Sequence, residues 1–313
     1  MSQRGAGKGP KFSGGRKPKY QAWKEQAPLT RKQTGRNRPG PHEPHRPRQG
    51  EAEPEGLQAP KSFSGNRRAG REVVYGRNPV LEALRGRREV HSIWLSSEGR
   101  AEELRVELGT DLGTKHAPVE ILERDRLTQL AGAEEHQGFV AEVDAFSYID
   151  EETILSIGDL VIVLDRVQDP HNLGAVLRTA EAAGAAVVLP RHRSAEVTPA
   201  AVKASAGASE HVPVARVRNL TDFVLAAKEP GYWIYGAEAQ ANADYAGQDY
   251  TGKVVFCMGS EGEGLGKRLR DACDVLVAIP LTGQVASLNV SVSTAVLVFE
   301  ARRQRRAAPN KDS

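Results

Sequence analysis

Hydrophobic and polar positions divide this chain into three regions. Downstream of residue 158, short aliphatic and β-branched runs alternate with segments of helical spacing. Leu160–Leu164, Ala186–Leu189, Val212–Val217, Tyr232–Ala237, Val254–Met258 and Val275–Ile279 read as strands. Leu173–Ala183, Pro199–Ser205, Leu220–Ala227, Leu265–Cys273 and Ser287–Arg302 read as helices. Apolar strands separated by helices predict a mostly parallel sheet covered on both faces, an α/β domain. Upstream lies a smaller α/β unit. It has helices from Asn78-Pro79 to Leu84, over Ala101–Leu108 and over Arg124–Leu130, and strands at Val90–Leu95, Val119–Leu122 and Gly138–Val143. Asp150–Ile157 reads as the linker between the two units. The first 70 residues show neither period.

The most unusual pattern runs from Val275 to Phe299, 25 residues without Asp, Glu, Lys or Arg. Pro280, Gly283, Gln284 and Asn289 argue against a membrane span, because they break a helix or face polar groups to lipid. Strand, turn and buried helix fit better, with Ser287 as the helix N-cap. Buried polar groups need hydrogen bonds. For Ser291, Ser293 and Thr294 nearby backbone suffices. For Ser287 and Asn289, at the mouth of the helix, a ligand is an equal candidate.

Charge changes the picture of the first region. Residues 1–70 carry 16 Lys/Arg against 5 Asp/Glu, a net of +11, and contain 11 Gly and 9 Pro. The remaining residues net −8, so the formal +3 of the whole chain hides a strong asymmetry. Such a tail buries too little apolar surface to offset its ordering entropy and is expected to be disordered. Its alternation of Arg and Lys with Gly, Pro, Tyr20 and Trp23 suits a polyanion, where the plainer role is solubility. No apolar signal peptide is present, and the tail is too rich in Pro and Gly for an amphipathic transit helix. A cytoplasmic location is expected, with mitochondrial as the lesser alternative. Cys257 and Cys273 sit in or beside apolar runs and read as reduced thiols. No Cys/His spacing suggests a metal site.

Ligands of parallel sheets bind where loops leave the carboxyl ends of strands, and three such ends draw notice. In LDRVQDPHNLGAVLRTAEAAGA, residues 164–185, Asn172 is placed to cap a helix. Arg178 lies two turns inside it among small and apolar neighbours. A surface pair with Glu181 is the ordinary reading, but a helix covered on most sides would bury Arg178, which then needs an anion or a specific partner. In FCMGSEGEGLG, residues 256–266, glycines at 259, 262, 264 and 266 suggest backbone close to a ligand. The spacing is not that of a P-loop. Glu261 would repel pyrophosphate and suits a cationic or hydroxyl-bearing ligand. The third end is IPLTGQVASLN.

DPHNLGAVLRTAEAAG, GSEGEGLG and IPLTGQVASLNVSVSTA match in order and spacing the three signature motifs of the SpoU family, within the SPOUT superfamily. The resemblance spans about residues 72–304, and it places a methyltransferase domain at 156–304. VYGRNPVLEAL and HQGFVAEV resemble the family's small N-terminal RNA-binding domain, here 71–147, which is itself similar to certain ribosomal proteins. KASAGASEHVPVARVRNL, residues 203–220, is most similar to the branch that methylates a guanosine ribose of bacterial 23S rRNA. The long basic tail departs from the compact bacterial pattern.

The resemblance implies S-adenosylmethionine-dependent methylation of a ribose 2′-hydroxyl in RNA, without a metal. It implies a C-terminal trefoil knot, a rare feature that no periodicity reveals, and a homodimer with an active site made by both subunits. The cofactor is expected on backbone and apolar groups at Gly259, Ile279, Leu281 and Leu288. Asn172, Arg178, Glu261, Ser287 and Asn289 are expected at the reacting centre. Arg178 would stabilise the developing alkoxide rather than act as a base, since a guanidinium resists deprotonation. Rival readings are a transfer-RNA ribose methylase and a non-catalytic RNA-binding assembly factor. The five intact polar positions speak against the second.

Overall fold

A computed structural model describes residues 70–109, 117–260 and 262–308. The expected disordered tail therefore lies outside the described residues, apart from Gly70, as does Glu261. The N-terminal lobe is a four-stranded sheet in the order β1-β4-β2-β3, formed by β1 Arg71–Tyr75, β2 Val90–Leu95, β3 Val119–Ile121 and β4 Phe139–Asp144. Helices α1 Arg77–Arg85, α2 Glu98–Leu108 and α3 Arg124–Ala131 complete it. The sequence pattern did not announce β1. It opens on Arg71 and Glu72, and its antiparallel pairing with β4 comes from a partner some 70 positions away.

The second lobe holds seven strands in the order β7-β6-β5-β10-β8-β11-β9, every neighbouring pair parallel. They are β5 Leu160–Leu164, β6 Ala186–Pro190, β7 Val214–Val217, β8 Trp233–Ala237, β9 Ala243–Asp244, β10 Val254–Met258 and β11 Val275–Ala278. The all-apolar LVIVL of β5 is buried on both faces. Leu160, Ile162 and Leu164 join one hydrophobic cluster, while Val161 and Val163 join the other. The first cluster also contains Leu173 and Leu177 of α5 Pro170–Ala183 and Leu297 and Val298 of α9 Val290–Ala307. The second contains Phe223 and Val224 of α7 Leu220–Lys228 and Leu269 of α8 Lys267–Ala272. Burying period-2 residues on both faces requires such helices on both sides.

The linker reading of 150–157 is corrected: Glu151–Ile157 is a helix, α4. The Asp150 carboxylate accepts the Thr153 N–H at 2.7 Å, an N-cap, and Ile154 is fully buried in the second cluster. The free thiols Cys257 and Cys273 are buried and half-buried. No helix among the described residues is long and apolar enough to cross a membrane.

The stretch 203–220 turns out to be the joint between the lobes. It begins in α6 Pro199–Ala204. Buried Glu210 accepts from the Arg88 Nε at 2.9 Å, and a second, shorter contact makes the pair bidentate. Arg88 also reaches Glu72 and the Asp144 carbonyl. Burial alone would depress the Arg88 pKa, but the bonds and charge of Glu210 and Glu72 raise it. Burial drives Glu72 upward, partly opposed by Arg88. Arg88→Met should therefore destabilise the protein by about 3–5 kcal/mol, because two carboxylates are left facing each other without a cation. Urea unfolding measures it, and a midpoint unchanged from the parent would refute the assignment.

Candidate active site

The loops after β5, β10 and β11 carry the three signature motifs, and the strand order sets β10 beside β5 with β8 between β10 and β11. All three loops leave the same edge of the sheet because the strands are parallel. The first motif enters α5 through Asp169, whose carboxylate accepts the His171 N–H at 2.9 Å, with Pro170 in the first turn. Asp169 is the cap, not Asn172. The Pro ring fixes the start of the helix one turn earlier than expected, so Asn172 projects from within it. There its Oδ1 accepts from Asn289 Nδ2 at 2.9 Å, a direct bond between the first and third motifs.

The third motif is also corrected at its cap. Asn289, not Ser287, caps α9. Its Oδ1 accepts from the Ser291 N–H at 2.9 Å and the Ser291 hydroxyl at 2.6 Å. Asn289 thus has a backbone function and a tertiary one, and its amide serves both because the oxygen accepts while the nitrogen donates. Ser287 is exposed in the loop and Leu288 is half-buried. Farther in, the fully buried Thr294 hydroxyl donates to the Val290 carbonyl at 2.7 Å, the local backbone bond its position requires.

Arg178 is exposed, which overturns the expected burial. Leu173, Gly174, Val176, Leu177, Ala180 and Ala183 form the buried face of α5, whereas Arg178, Glu181 and Ala182 lie outward. Alanines on both faces disguised the stripe. No ion pair joins Arg178 to Glu181 or to any other described residue. Its guanidinium therefore faces solvent uncommitted, on the helix that bears Asn172. Gly174 lets α6 approach: a Cβ there would strike the Ala201 carbonyl at 2.7 Å and the Ser205 amide at 2.9 Å.

The glycine loop is stabilised from β5. Asp165 accepts the Gly266 N–H at 2.7 Å, and Arg166 donates to the Gly264 carbonyl at 3.1 Å and pairs with Glu263. These two residues escaped the sequence reading. Their signal was the DR that directly ends the β5 run. Gly259 is tightly enclosed, because a Cβ would run into the backbone of Gly264 and Leu265. The need for glycine comes first from the loop folding back on itself, with Gly264 N–H donating to the Ser260 carbonyl at 3.1 Å.

Two cavities open at these loops. One, of about 310 Å³, is lined by Asn172, Ser260, Glu263 and Val290. The other, of about 420 Å³, is lined by Ile279, Leu281 and Val285 with Asn242 and Asp244. Both volumes lie within the range of small-molecule sites, roughly 300–1,000 Å³. Leu281 and Val285 are exposed there, 38% and 74%, an arrangement suited to covering a flat apolar ring. The structure thus joins Ile279 to Leu281 and Asn172 to Asn289. Gly259 and Leu288 line neither cavity.

His136-Gln137-Gly138 is the expected turn, with more in it. Buried His136 accepts the Gly138 N–H on Nδ1 at 3.0 Å, which leaves Nε2 to donate to the Thr128 hydroxyl at 3.1 Å. Burial, then Arg124 and Lys203, hold its pKa low. Gln137 accepts from Lys203 Nζ at 3.1 Å, a second link between the lobes.

Comparison with known proteins gives the family. The model of the SpoU rRNA Methylase family matches residues 159–299, and the model for RNA 2′-O ribose methyltransferase substrate binding matches residues 73–149. The chain belongs to the SpoU rRNA methylase family. Its SpoU relatives include the 23S rRNA (guanosine-2′-O-)-methyltransferase RlmB of Pseudomonas putida, 41% identical over 242 residues, 75% of this chain and 97% of that protein. Another is the putative TrmH family tRNA/rRNA methyltransferase YacO of Bacillus subtilis, 35% identical over 244 residues, 75% of this chain and 96% of the relative. Among solved SpoU structures, AviRb from Streptomyces viridochromogenes in complex with AdoMet superposes with a TM-score of 0.65. The identity is 28%, with 78% of this chain and 96% of that one covered.

Proposed function

We propose that this protein transfers a methyl group from S-adenosylmethionine to a ribose 2′-hydroxyl of RNA, the substrate being a guanosine of 23S rRNA. The observation that carries the reading is the Asn172–Asn289 bond. It joins two family motifs at the carboxyl edge of the sheet, on the helix that also carries the exposed Arg178. The 41% identity to a 23S rRNA guanosine methyltransferase supports the substrate.

The cofactor supplies a methyl group already activated on a sulfonium, whose leaving group departs neutral, so the protein need not stabilise a departing charge. Its residues instead align the hydroxyl and favour loss of the hydroxyl proton. The Arg178 guanidinium, a permanent multiple donor, stabilises the developing alkoxide or holds the neighbouring phosphate. Asn172 and Asn289 hold the first and third loops in register, with Ser287 at the open end of the third. Glu261 contributes its carboxylate from the glycine loop. Ile279, Leu281 and Leu288, with the Gly259 backbone, hold the cofactor. Support for this is the cavity at Ile279 and Leu281.

Three finer features belong to the same reading. The C-terminal segment forms a trefoil knot, supported by α9 packing across α5 and β10 after the third loop. The N-terminal lobe is a ribosomal-protein-like RNA-binding domain, supported by the substrate-binding match. The protein is a cytoplasmic homodimer. Val292 and Phe299, two turns apart on α9 and 47% and 43% exposed, support an apolar contact between copies. Mapping ribose methylation across total RNA with and without the protein tests the function. A single guanosine in 23S rRNA that loses its mark is the expected result, and a site in transfer RNA instead would favour the tRNA reading that YacO's name suggests.

The basic tail makes a separate contribution. With +11 on residues 1–70 and −8 on the rest, its deletion should weaken RNA binding most at low salt and flatten the slope of log affinity against log salt. Site choice and cofactor affinity should remain. Affinities of full-length and truncated protein at several salt concentrations measure this, and coincident lines would overturn it.

A further inference from the structure

A cleft of about 700 Å³ lies at the carboxyl ends of β5, β6 and β7, on the flank of the sheet away from β11. Arg166, Arg193, Arg218, Lys267 and Arg268 line it, with Asp165 and Asp222 as its acids. Not all of these charges are open to a ligand, because Asp165 is spent on the Gly266 amide and Arg166. Arg166 is held by Glu263 and Lys267 by Asp271. Arg193, Arg218 and Arg268 are all exposed, and no ion pair or hydrogen bond ties any of them to a described residue. On a body with net charge −8, three uncommitted guanidinium groups share one concavity with a single lining acid, Asp222, that is not already engaged by Arg166, an excess that favours an anion between them.

The backbone reinforces this. Arg166 and Arg193 both have φ near +60°, a region that disfavours residues with a Cβ and marks functional turns when they adopt it. The loop bearing Arg193 is held at both ends: Arg191 N–H donates to the Val217 carbonyl at 2.9 Å, and Ala195 N–H to the Val167 carbonyl at 2.8 Å. Arg193 is thus fixed at the tip of a tethered turn rather than on a free strand end. The second tether begins one residue after Arg166, so the two strained cations belong to one hydrogen-bonded unit. Asp165 and Arg166, in turn, clamp the glycine loop of the candidate active site.

We propose that this cleft is a phosphate track for the substrate RNA, with Arg193, Arg218 and Arg268 as its phosphate ligands. It rests on the reading of RNA as substrate. Phosphodiesters suit the site because guanidinium groups recognise them in pairs of parallel bonds, without reading sequence. The track guides the strand toward the loops that hold the cofactor, while the choice of nucleotide is made elsewhere.

The test combines Arg193→Gln, Arg218→Gln and Arg268→Gln in the full-length chain, with in vitro transcribed 23S rRNA as probe. The slope of log affinity against log salt should fall by about 2, at roughly 0.7 for each phosphate no longer neutralised. KM for RNA should rise by about tenfold or more, with the melting temperature and S-adenosylmethionine affinity kept. The matching triple lysine variant, which preserves charge, should restore the slope. An unchanged slope and KM in the glutamine variant overturns the track and leaves ribose methylation standing. Loss of cofactor affinity in place of RNA affinity also overturns it, since the arginines would then serve the cofactor. A parent protein that methylates no RNA overturns both the track and the function on which it rests.

Discussion

Arg178→Ala should slow methyl transfer by about 10²–10³-fold, the cost of removing one donor from a developing oxyanion. Folding should be untouched, because Arg178 is exposed on α5 and pairs with no described residue, so its truncation opens no cavity and strands no buried charge. Affinity for S-adenosylmethionine should also hold, since the cavity at Ile279 and Leu281 lies at another loop. Arg178→Lys keeps the charge but loses the planar fork, and should recover only part of the rate. Single-turnover methylation of 23S rRNA, with melting and calorimetry as controls, measures each part. Parent-like turnover in the alanine variant would remove Arg178 from the reaction.

Gly259→Val should sharply weaken cofactor binding. The added side chain meets the backbone of Gly264 and Leu265, which cannot swing aside as a side chain can. The loop must reopen, breaking the bond from Gly264 N–H to the Ser260 carbonyl and disturbing the clamp from Asp165 and Arg166. Overpacking of this kind costs about 1–3 kcal/mol, and if the loop carries that cost into binding, affinity falls by roughly 5- to 150-fold. Gly259→Ala should show a smaller loss of the same sign, although even its single Cβ is too large for the space. Calorimetry on folded protein decides, and parent-like affinity in the valine variant would place the cofactor elsewhere.

Much of this molecule was legible along the chain because its information is local. The β5 and β10 runs, each buried from end to end, read as strands with their observed bounds. Period-2 burial on two faces leaves little else for LVIVL or VVFCM to be. The motifs were legible for a related reason: their glycines, asparagines and prolines are turn and cap chemistry at fixed offsets. The joint at 203–220 was legible as a distinctive stretch, but not as a joint.

What the chain could not reveal on its own depends on partners distant in sequence. Whether Asn289 or Ser287 caps α9 turned on Asn172, 117 positions away, which takes the Asn289 amide. The exposure of Arg178 depended on which side of an alanine-rich helix met the sheet, and alanine fits either side. The 150–157 stretch became a helix because Ile154 found a place in the second cluster, a burial that its composition does not specify. Lone arginines at 193, 218 and 268 carry no pattern at all, and only the parallel order β7-β6-β5-β10 gathers their loops at one edge. Local propensity and periodicity thus determined the elements, and resemblance to a known family identified the motifs. The tertiary structure alone decided which polar groups are matched and which remain open to a ligand, because satisfaction of a polar group is a property of its neighbours in space.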